Sequence, residues 1–527
     1  MRSPFSVLCL LVIALCAAIL SGPAFSQAPT TTPHIRPIDG SRMVVGDGKI
    51  AEYTVKCFLH LCRQTRPTVA IIRLAGSTRI TEARLKETGA GSVTVIDSLP
   101  SDQNKLTMQL IDATGVWIEG NVEALKENDL LIELLKNVTH KNGVIAVGSK
   151  SVSLLPELDQ NDFEQRLRSP FAKCDFHMGA RVSGANAKDA EHRVQWWIPK
   201  TSTLVFHSGR RIAGYGYDDV RVSVPKANGW PERRGTFECP DVFSPGSYPF
   251  YGLDLLSWVR SANERDQALF PAKNAATPVV ENGTLFLHGG SRIEPDMMRQ
   301  FVELVGGKGS PIVCIPSASR FDWSQAPNSY SEDVLASIDH FNVEVLHTQD
   351  PLVAHESAEF ERLLKNAKGV WIDGGRTYRF MDSYQGTRVE KLIAEVLKRG
   401  GVVGGSSAGC QVPSEFLVRG NPRTNRDIVH GGYTRGLGLL KGTIIDAHFL
   451  QRERGAPFLE LMRKHPQMLG IGIDERTALI VKGSLGRVVG PNAVSFYDLK
   501  TKTDGDFQPV ILKAGEAYDL KLRERAK

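Results

Sequence analysis

The segment Gly405-Ser406-Ser407-Ala408-Gly409 fits the pattern G-x-S-x-G, follows the apolar run Gly401–Val403 and precedes a stretch able to form a helix. A nucleophilic serine needs that context. A sharp strand-to-helix turn tolerates only small neighbours and pushes the serine toward substrate, while the helix N-terminus offers backbone N–H groups to a developing oxyanion. A serine hydroxyl also requires a base, and the base an orienting acid. Downstream, "TIIDAHFLQRERG" sets His448 just past a strand-like run, and "GIGIDERTALIV" sets Asp474 and Glu475 at a strand-to-turn boundary. The five-residue pattern by itself also marks ordinary Gly-rich turns. The elements around it must therefore decide whether these groups can meet.

Those elements occur twice. "GVWIDG" at 369–374 and "GVVGGSSAGC" from 401 are echoed by "GVWIEG" at 115–120 and "GVIAVGSKSV" from 143. "HGGSRIEPDMMRQFVELVGGKGSPIVCIPSAS" from 288 is set against "DGSRMVVGDGKIAEYTVKCFLHLCRQTRPTVAIIRLAGS" from 39, each read as a Gly-Ser-Arg turn, a helix-like stretch and a buried strand. "IPKTSTLVFHSGRRIAG" from 198 likewise parallels "IDERTALIVKGSLGRVVG" from 473. So long a period predicts duplication of a whole domain rather than a solenoid. Short apolar runs alternating with amphipathic stretches predict an α/β fold, with two tandem doubly wound, flavodoxin-like domains. The expected limits are 35–256 and 278–521, joined by a linker at 257–277. Ligands of such sheets bind beyond the carboxyl ends of the strands, where the Gly-rich turns fall.

The region "GLGLLKGTIIDAHFLQRERGAPFLELMRKHPQMLGIGIDERTALIV" resembles cyanophycinase and the related dipeptidase E group of serine peptidases, whose fold is similar to class I glutamine amidotransferases. Three separated motifs agree in order across essentially all of the second domain. The resemblance implies Ser407 as nucleophile, His448 as base and Glu475 as its orienting acid; Asp474 is the rival, set aside because the family motif places the acid second in its Asp-Glu pair. It implies an oxyanion hole from the backbone N–H groups of Ala408 and of Gly375 in "WIDGGRTYRF". For substrate binding, Arg452 and Arg454 match the family and suit an acidic substrate through bidentate contacts. Arg376 and Thr377 stand where cyanophycinases carry a glutamine after the paired glycines. Ala447 replaces the family's glutamine before the histidine, and the arginine expected past "QRER" is replaced around Pro457. The implied activity is that of a serine exopeptidase acting on peptides, including β-aspartyl or cyanophycin-derived ones, with altered recognition. An esterase or amidase with the same triad and a non-catalytic binding protein are the alternatives.

The first copy reads as inactive. At the elbow Ser149 aligns with Ser407, but Val147, Lys150 and Ser151 replace Gly405, Ala408 and Gly409, and Lys200 stands opposite Glu475. Asp175-Phe176-His177 is the nearest counterpart of Asp446-Ala447-His448. A cation cannot orient an imidazolium, and loss of the acid's function costs about four powers of ten in a triad enzyme. The first domain is expected to serve the second as an intramolecular partner.

Bulk properties set the remaining limits. At 527 residues the chain exceeds one hydrophobic core, and 42% hydrophobic with 23% charged residues is ordinary for a globular protein. The net charge of +6 is spread along the chain rather than gathered in a basic stripe, which argues against nucleic acid. His288, His347, His430 and His465 lack ligand spacing, so neither a metal nor a cofactor is expected. Arg2, the apolar run Val7–Leu20 and Ala24-Phe25-Ser26 form the pattern of a signal peptide cleaved after Ser26. The mature chain is then expected to be periplasmic or secreted, with no membrane span. In that setting Cys174 and Cys239 are the pair expected to bridge.

Overall fold

The computed structural model describes residues 34–527 apart from 36–39, 75–78, 121, 157, 159–166, 169–173, 179–192, 208–209, 238, 240–253, 320–328 and 500–507. The signal-peptide segment lies outside the described residues. Among the described residues no helix is long and apolar enough to cross a membrane.

In the N-terminal half, runs such as "TVAIIR" and "VIAVG" form strands buried on both faces, as parallel strands between helical layers must be. They are β1 (Ser41–Val45), β2 (Thr68–Arg73), β3 (Ser92–Ile96), β4 (Gly115–Glu119) and β5 (Val144–Gly148), followed by β6 (Cys174–Met178), β7 (Val194–Ile198), β8 (Thr203–Phe206), β9 (Ile212–Tyr215), β10 (Val220–Val224) and β11 (Arg233–Phe237). A seven-stranded sheet has the order β9-β8-β1-β5-β4-β2-β3, and a four-stranded one β11-β10-β7-β6. In the larger sheet only β8 runs against the other strands, pairing antiparallel with β1 on one side and with β9 on the other.

The C-terminal half follows the same path. Its strands are β12 (Val280–His288), β13 (Ile312–Ile315), β14 (Val343–Val345), β15 (Gly369–Ile372), β16 (Val402–Ser406), β17 (Ser414–Phe416), β18 (Leu440–Ala447), β19 (Leu469–Ile473), β20 (Ala478–Gly483), β21 (Leu485–Val489), β22 (Ala493–Asp498), β23 (Val510–Lys513), β24 (Ala517–Asp519) and β25 (Glu524–Arg525). The larger sheet runs β14-β13-β15-β16-β12-β20-β21-β24-β25, and the smaller β17-β18-β19-β22-β23. Taken in chain order, the first seven strands of this sheet connect as the seven of the other half do. The architecture is mixed α/β with several sheets, since antiparallel edge strands and a second sheet accompany the expected parallel core.

Alternation along β12 divides the core into two layers. Phe286 faces the helix Pro295–Val305 with Met298, Phe301 and Trp371, while Leu285 and Leu287 face Arg388–Lys398 with Val389, Ile393 and Val396. Gly404 has to be small, because a Cβ there would stand 2.8 Å from the Trp371 ring.

Several expectations change. Pro33–Lys527 forms one compact unit, which includes the expected linker at 257–277. Residues 257–264, expected in that linker, belong to helix α1 (Leu255–Glu264), buried along its whole length and capped by Asp254 on Ser257 N–H at 2.8 Å. Two of its buried polar residues bond across the halves: Glu264 accepts from Thr434 Oγ1 (2.8 Å) and Gly432 N–H (3.0 Å), and Arg260 donates to Gly432 O (2.7 Å). Cys174 and Cys239 are not joined to each other by a disulfide. Cys174 opens β6 and Cys239 lies two residues past β11, the opposite edge strand of the four-stranded sheet, so at least three strand spacings, about 14 Å, separate them, beyond the reach of a disulfide. The two Gly-Ser-Arg segments are not equivalent either. Gly40-Ser41-Arg42 leads into β1, whereas Gly290-Ser291-Arg292 follows β12, the strand that occupies β1's place.

Candidate active site

Ser407 joins β16 to the short helix α2 (Ala408–Gln411) with φ 55° and ψ −113°, a conformation that L-residues avoid. The small flanking residues make it possible. A Cβ on Gly405 would come within 2.5 Å of Gly409 O, and one on Gly409 within 2.0 Å of Ile372 O.

Three consecutive residues, the last of β12 and the two after it, hold the backbone of the whole site. His288 O accepts from Ser407 N–H (3.0 Å), Gly289 O from His448 N–H (2.8 Å) and Gly290 O from Arg476 N–H (3.0 Å), the residue next to Glu475. A Cβ on Gly290 would stand 2.3 Å from His448 Cε1, so only glycine lets the ring lie against this turn. His288 itself is buried, its Nδ1 2.9 Å from Ser406 Oγ.

With these backbones fixed, three side chains meet. Ser407 Oγ lies 2.7 Å from His448 Nε2, and His448 Nδ1 lies 2.6 Å from Glu475 Oε1. Asp474 is turned away; its carboxylate accepts from Leu450 N–H (3.0 Å) and Ala493 N–H (3.2 Å) and so fixes the turn. Burial holds the His448 pKa below the ordinary histidine value, and the hydrogen bond it donates to Glu475 opposes that shift. Bonding to His448 keeps the Glu475 carboxyl below the usual glutamate value. At neutral pH this favours a neutral ring that donates from Nδ1 to the carboxylate and presents a lone pair at Nε2 to the serine hydroxyl.

The Ala408 N–H, in the first turn of α2, and the Gly375 N–H are not spent on helix, ladder or turn bonds among the described residues. Gly375 has φ 147°, and a Cβ there would stand 1.9 Å from Ala318 O. A cleft of about 460 Å³ opens over the serine, walled by Ser291, Tyr330, Asp373, Asn425 and Arg452. Of the four residues expected to bind substrate, Arg452 alone lines this cleft. Arg454 is buried and directed at Asp446 (2.5 Å), which it shares with Arg419 (2.9 Å) and Gln411 (2.7 Å). That carboxylate is fully buried, and without its cations it would be an unpaired internal charge. Thr377, also buried, gives its hydroxyl to Arg419 O (3.0 Å). Arg376 reaches Asn421 O (2.5 Å) and the Tyr378 ring. These three hold the loop behind the cleft. The roles of the His288-Gly289-Gly290 turn and of Asp446 escaped the sequence reading, although the paired glycines at a strand end were a visible signal. Among the described residues no His, Cys, Asp and Glu cluster could hold a metal.

The corresponding place in the first half is filled. Val45 pairs with Gly148 as His288 pairs with Ser406, and the chain then enters a 3-10 helix, Ser149–Leu154. Arg79 occupies the space, donating to Gly46 O (2.6 Å) and Gly48 O (3.3 Å) and pairing with Glu119 (3.2 Å). Lys200 is exposed on the turn after β7. Sheet register also corrects one alignment: Met178 pairs with Ile198 as Ala447 pairs with Ile473, so Asp175–His177 ends two residues short of the level of His448. Asp175 is instead bound by Arg193 (2.7 Å) and Gln195 (2.6 Å).

Compared with known proteins, residues 285–489 match peptidase family S51. A cyanophycinase of Geminocystis herdmanii (strain PCC 6308) is 29% identical over 208 residues, 38% of this chain and 75% of that protein. One of Synechococcus elongatus is 28% identical over 248 residues, 43% of this chain and 75% of its own. Among solved structures, a peptidase from an acI-B1 Actinobacterium aligns with 46% of this chain and 98% of its own, at 21% identity and a TM-score of 0.36.

Proposed function

We infer, from the membership of the C-terminal half in the cyanophycinase and dipeptidase E family of serine-type peptidases, that this chain hydrolyses short acidic peptides at Ser407. The observation that carries the reading is the continuous hydrogen-bonded line Ser407–His448–Glu475 at a strained strand-to-helix turn. In the proposed cycle Ser407 Oγ attacks the scissile carbonyl carbon as its proton passes to His448 Nε2. The ring becomes an imidazolium that Glu475 stabilises. The carbonyl oxygen, now an oxyanion, is met by the Ala408 and Gly375 N–H groups; loss of one such donor costs about two to three powers of ten in rate. Collapse breaks the C–N bond, with the His448 proton going to the leaving amine. Water, activated by the same ring, then releases the acyl group and restores Ser407.

Arg452 at the cleft suits a substrate carboxylate, and a cleft near 460 Å³ suits a chain end or dipeptide. Both support exopeptidase action on β-aspartyl or other acidic peptides, with cyanophycin as one candidate. The shared strand order supports descent of the two halves from an internal duplication, the first having lost its chemistry and become a partner of the second. The N-terminal pattern ending at Ser26 supports export, which the intact mass of the mature chain, beginning at Gln27, checks.

The test compares wild-type protein with Ser407→Ala on insoluble cyanophycin and a panel of β-aspartyl dipeptides. Wild-type cleavage and its loss by at least three powers of ten in the variant are expected. Full activity in Ser407→Ala would sink both the assignment of the nucleophile and the inactivity of the first half.

A further inference from the structure

Two segments that adjoin cleft residues, Thr377–Tyr384 and 417–434, converge upon one side chain of the first half. We propose that Arg210 is a positioning residue for the Ser407 site, a guanidinium from the N-terminal half that sets how the two segments stand relative to each other. Arg210 bonds through Nε and Nη2 to the two oxygens of Asp254, the second at 2.8 Å. Its Nη1 donates to Asp382 and its Nη2 also to Tyr433 Oη (2.5 Å). The guanidinium lies 4.8 Å from the centre of the Tyr378 ring, and Tyr433 Oη donates onward to Asp382 (2.8 Å).

The partners belong to different segments. Tyr378 and Asp382 lie on helix α3 (Thr377–Tyr384), which begins two residues after Gly375, the candidate oxyanion donor. Tyr433 stands at the root of an excursion, residues 417–434, closed by Leu417 N–H to Thr434 O (2.8 Å) and Arg419 N–H to Ile428 O (2.9 Å). This excursion brings Asn425 to the cleft. It also carries Arg419, whose pair with Asp446 stands two residues from His448. A shift of the Arg210 cluster would therefore disturb the oxyanion side and the histidine side together.

Arginine suits this place because two carboxylates and a phenol must be met by one planar fork, which a lysine ammonium cannot reproduce. Arg260 completes the cluster from α1, 3.7 Å from Asp382 and over the Tyr433 ring. Two guanidinium groups then face Asp254 and Asp382 in a largely buried setting, where charge interactions are weakly screened.

The inference rests on Ser407 being the nucleophile, and the two fail separately: activity surviving in Ser407→Ala defeats that reading whatever Arg210 does. With a panel peptide whose cleavage depends on Ser407, the full-length Arg210→Met, Arg210→Lys, Tyr433→Phe and Arg210→Met/Tyr433→Phe proteins are compared for kcat, KM and Tm. The expected result is a fall in kcat of roughly tenfold or more in Arg210→Met, no recovery in Arg210→Lys, and a several-fold fall in Tyr433→Phe with little change in Tm. In the double variant the two effects should combine to less than their product, as for groups in one network. A merely structural arginine would lower Tm and leave kcat per folded molecule unchanged, and that result overturns the proposal. Should Arg210→Met fail to fold, Tyr433→Phe decides alone, because wild-type kcat in that folded variant is equally fatal.

Discussion

His448 is drawn in two directions, and the balance sets a pH dependence. Burial favours the neutral ring, Glu475 favours the charged one, and burial prevails, so the pKa lies below the ordinary histidine value. The proposed reaction needs the neutral form, which persists at pH values above that pKa. The acid limb of kcat/KM is therefore expected at a pH below the usual histidine range. Glu475→Gln removes the influence that raises the pKa, so the limb should move lower still while kcat drops by about four powers of ten. A pH–rate profile of both proteins checks this, and an acid limb above the usual range in the wild type would count against His448 as the base. Ser407 and His448 were legible as candidates in the sequence, because each follows an apolar run whose end could be counted, whereas the choice of Glu475 over its neighbour Asp474 came only from the family resemblance. The arginines were not legible. Arg452 and Arg454 share one short turn, yet one is exposed and the other buried on Asp446; a turn has no periodicity from which to tell its inner from its outer side.

Among the elements, the turn after β12 has the most influence for its size. It fixes Ser407, His448 and Arg476 through three successive carbonyls, and its last residue lies against the imidazole. Gly290→Ala would bring a methyl group within 2.3 Å of His448 Cε1 at a residue with φ 103°, so the ring must move. A loss of roughly two powers of ten in kcat is expected, with an unchanged far-UV circular dichroism spectrum. Retention of wild-type kcat would show that the turn does not hold the ring. The strands and main helices were readable from apolar runs because burial on a sheet or helix face repeats with a fixed period. The register of this turn was not, since Gly-Ser-Arg occurs before a strand in one half and after the corresponding strand in the other. Helix α1 was misread as linker for a related reason: Arg260, Asn263 and Glu264 look solvated in a sequence and are buried here.

On the scale of the whole molecule, recurrence of "GVW" and of the Gly-rich segments made the repeated strand path legible, whereas the joining of the halves was invisible. Joining depends on arginines 210, 233 and 260 from one half meeting backbone carbonyls, Asp382 and Tyr433 of the other, contacts distant in sequence and polar in type. The filling of the first half's cleft by Arg79 has a consequence for counting. Two like folds in one chain suggest two reactive serines, but a cleft stoppered by its own side chain admits no reagent. Titration of the intact protein with a small fluorophosphonate should end at one adduct per chain, measured as a single mass increment and traced to the peptide containing Ser407. A second increment on the Ser149 peptide would mean that Arg79 yields its place. With one equivalent as the endpoint, such a reagent becomes a direct measure of how many molecules in a preparation are competent.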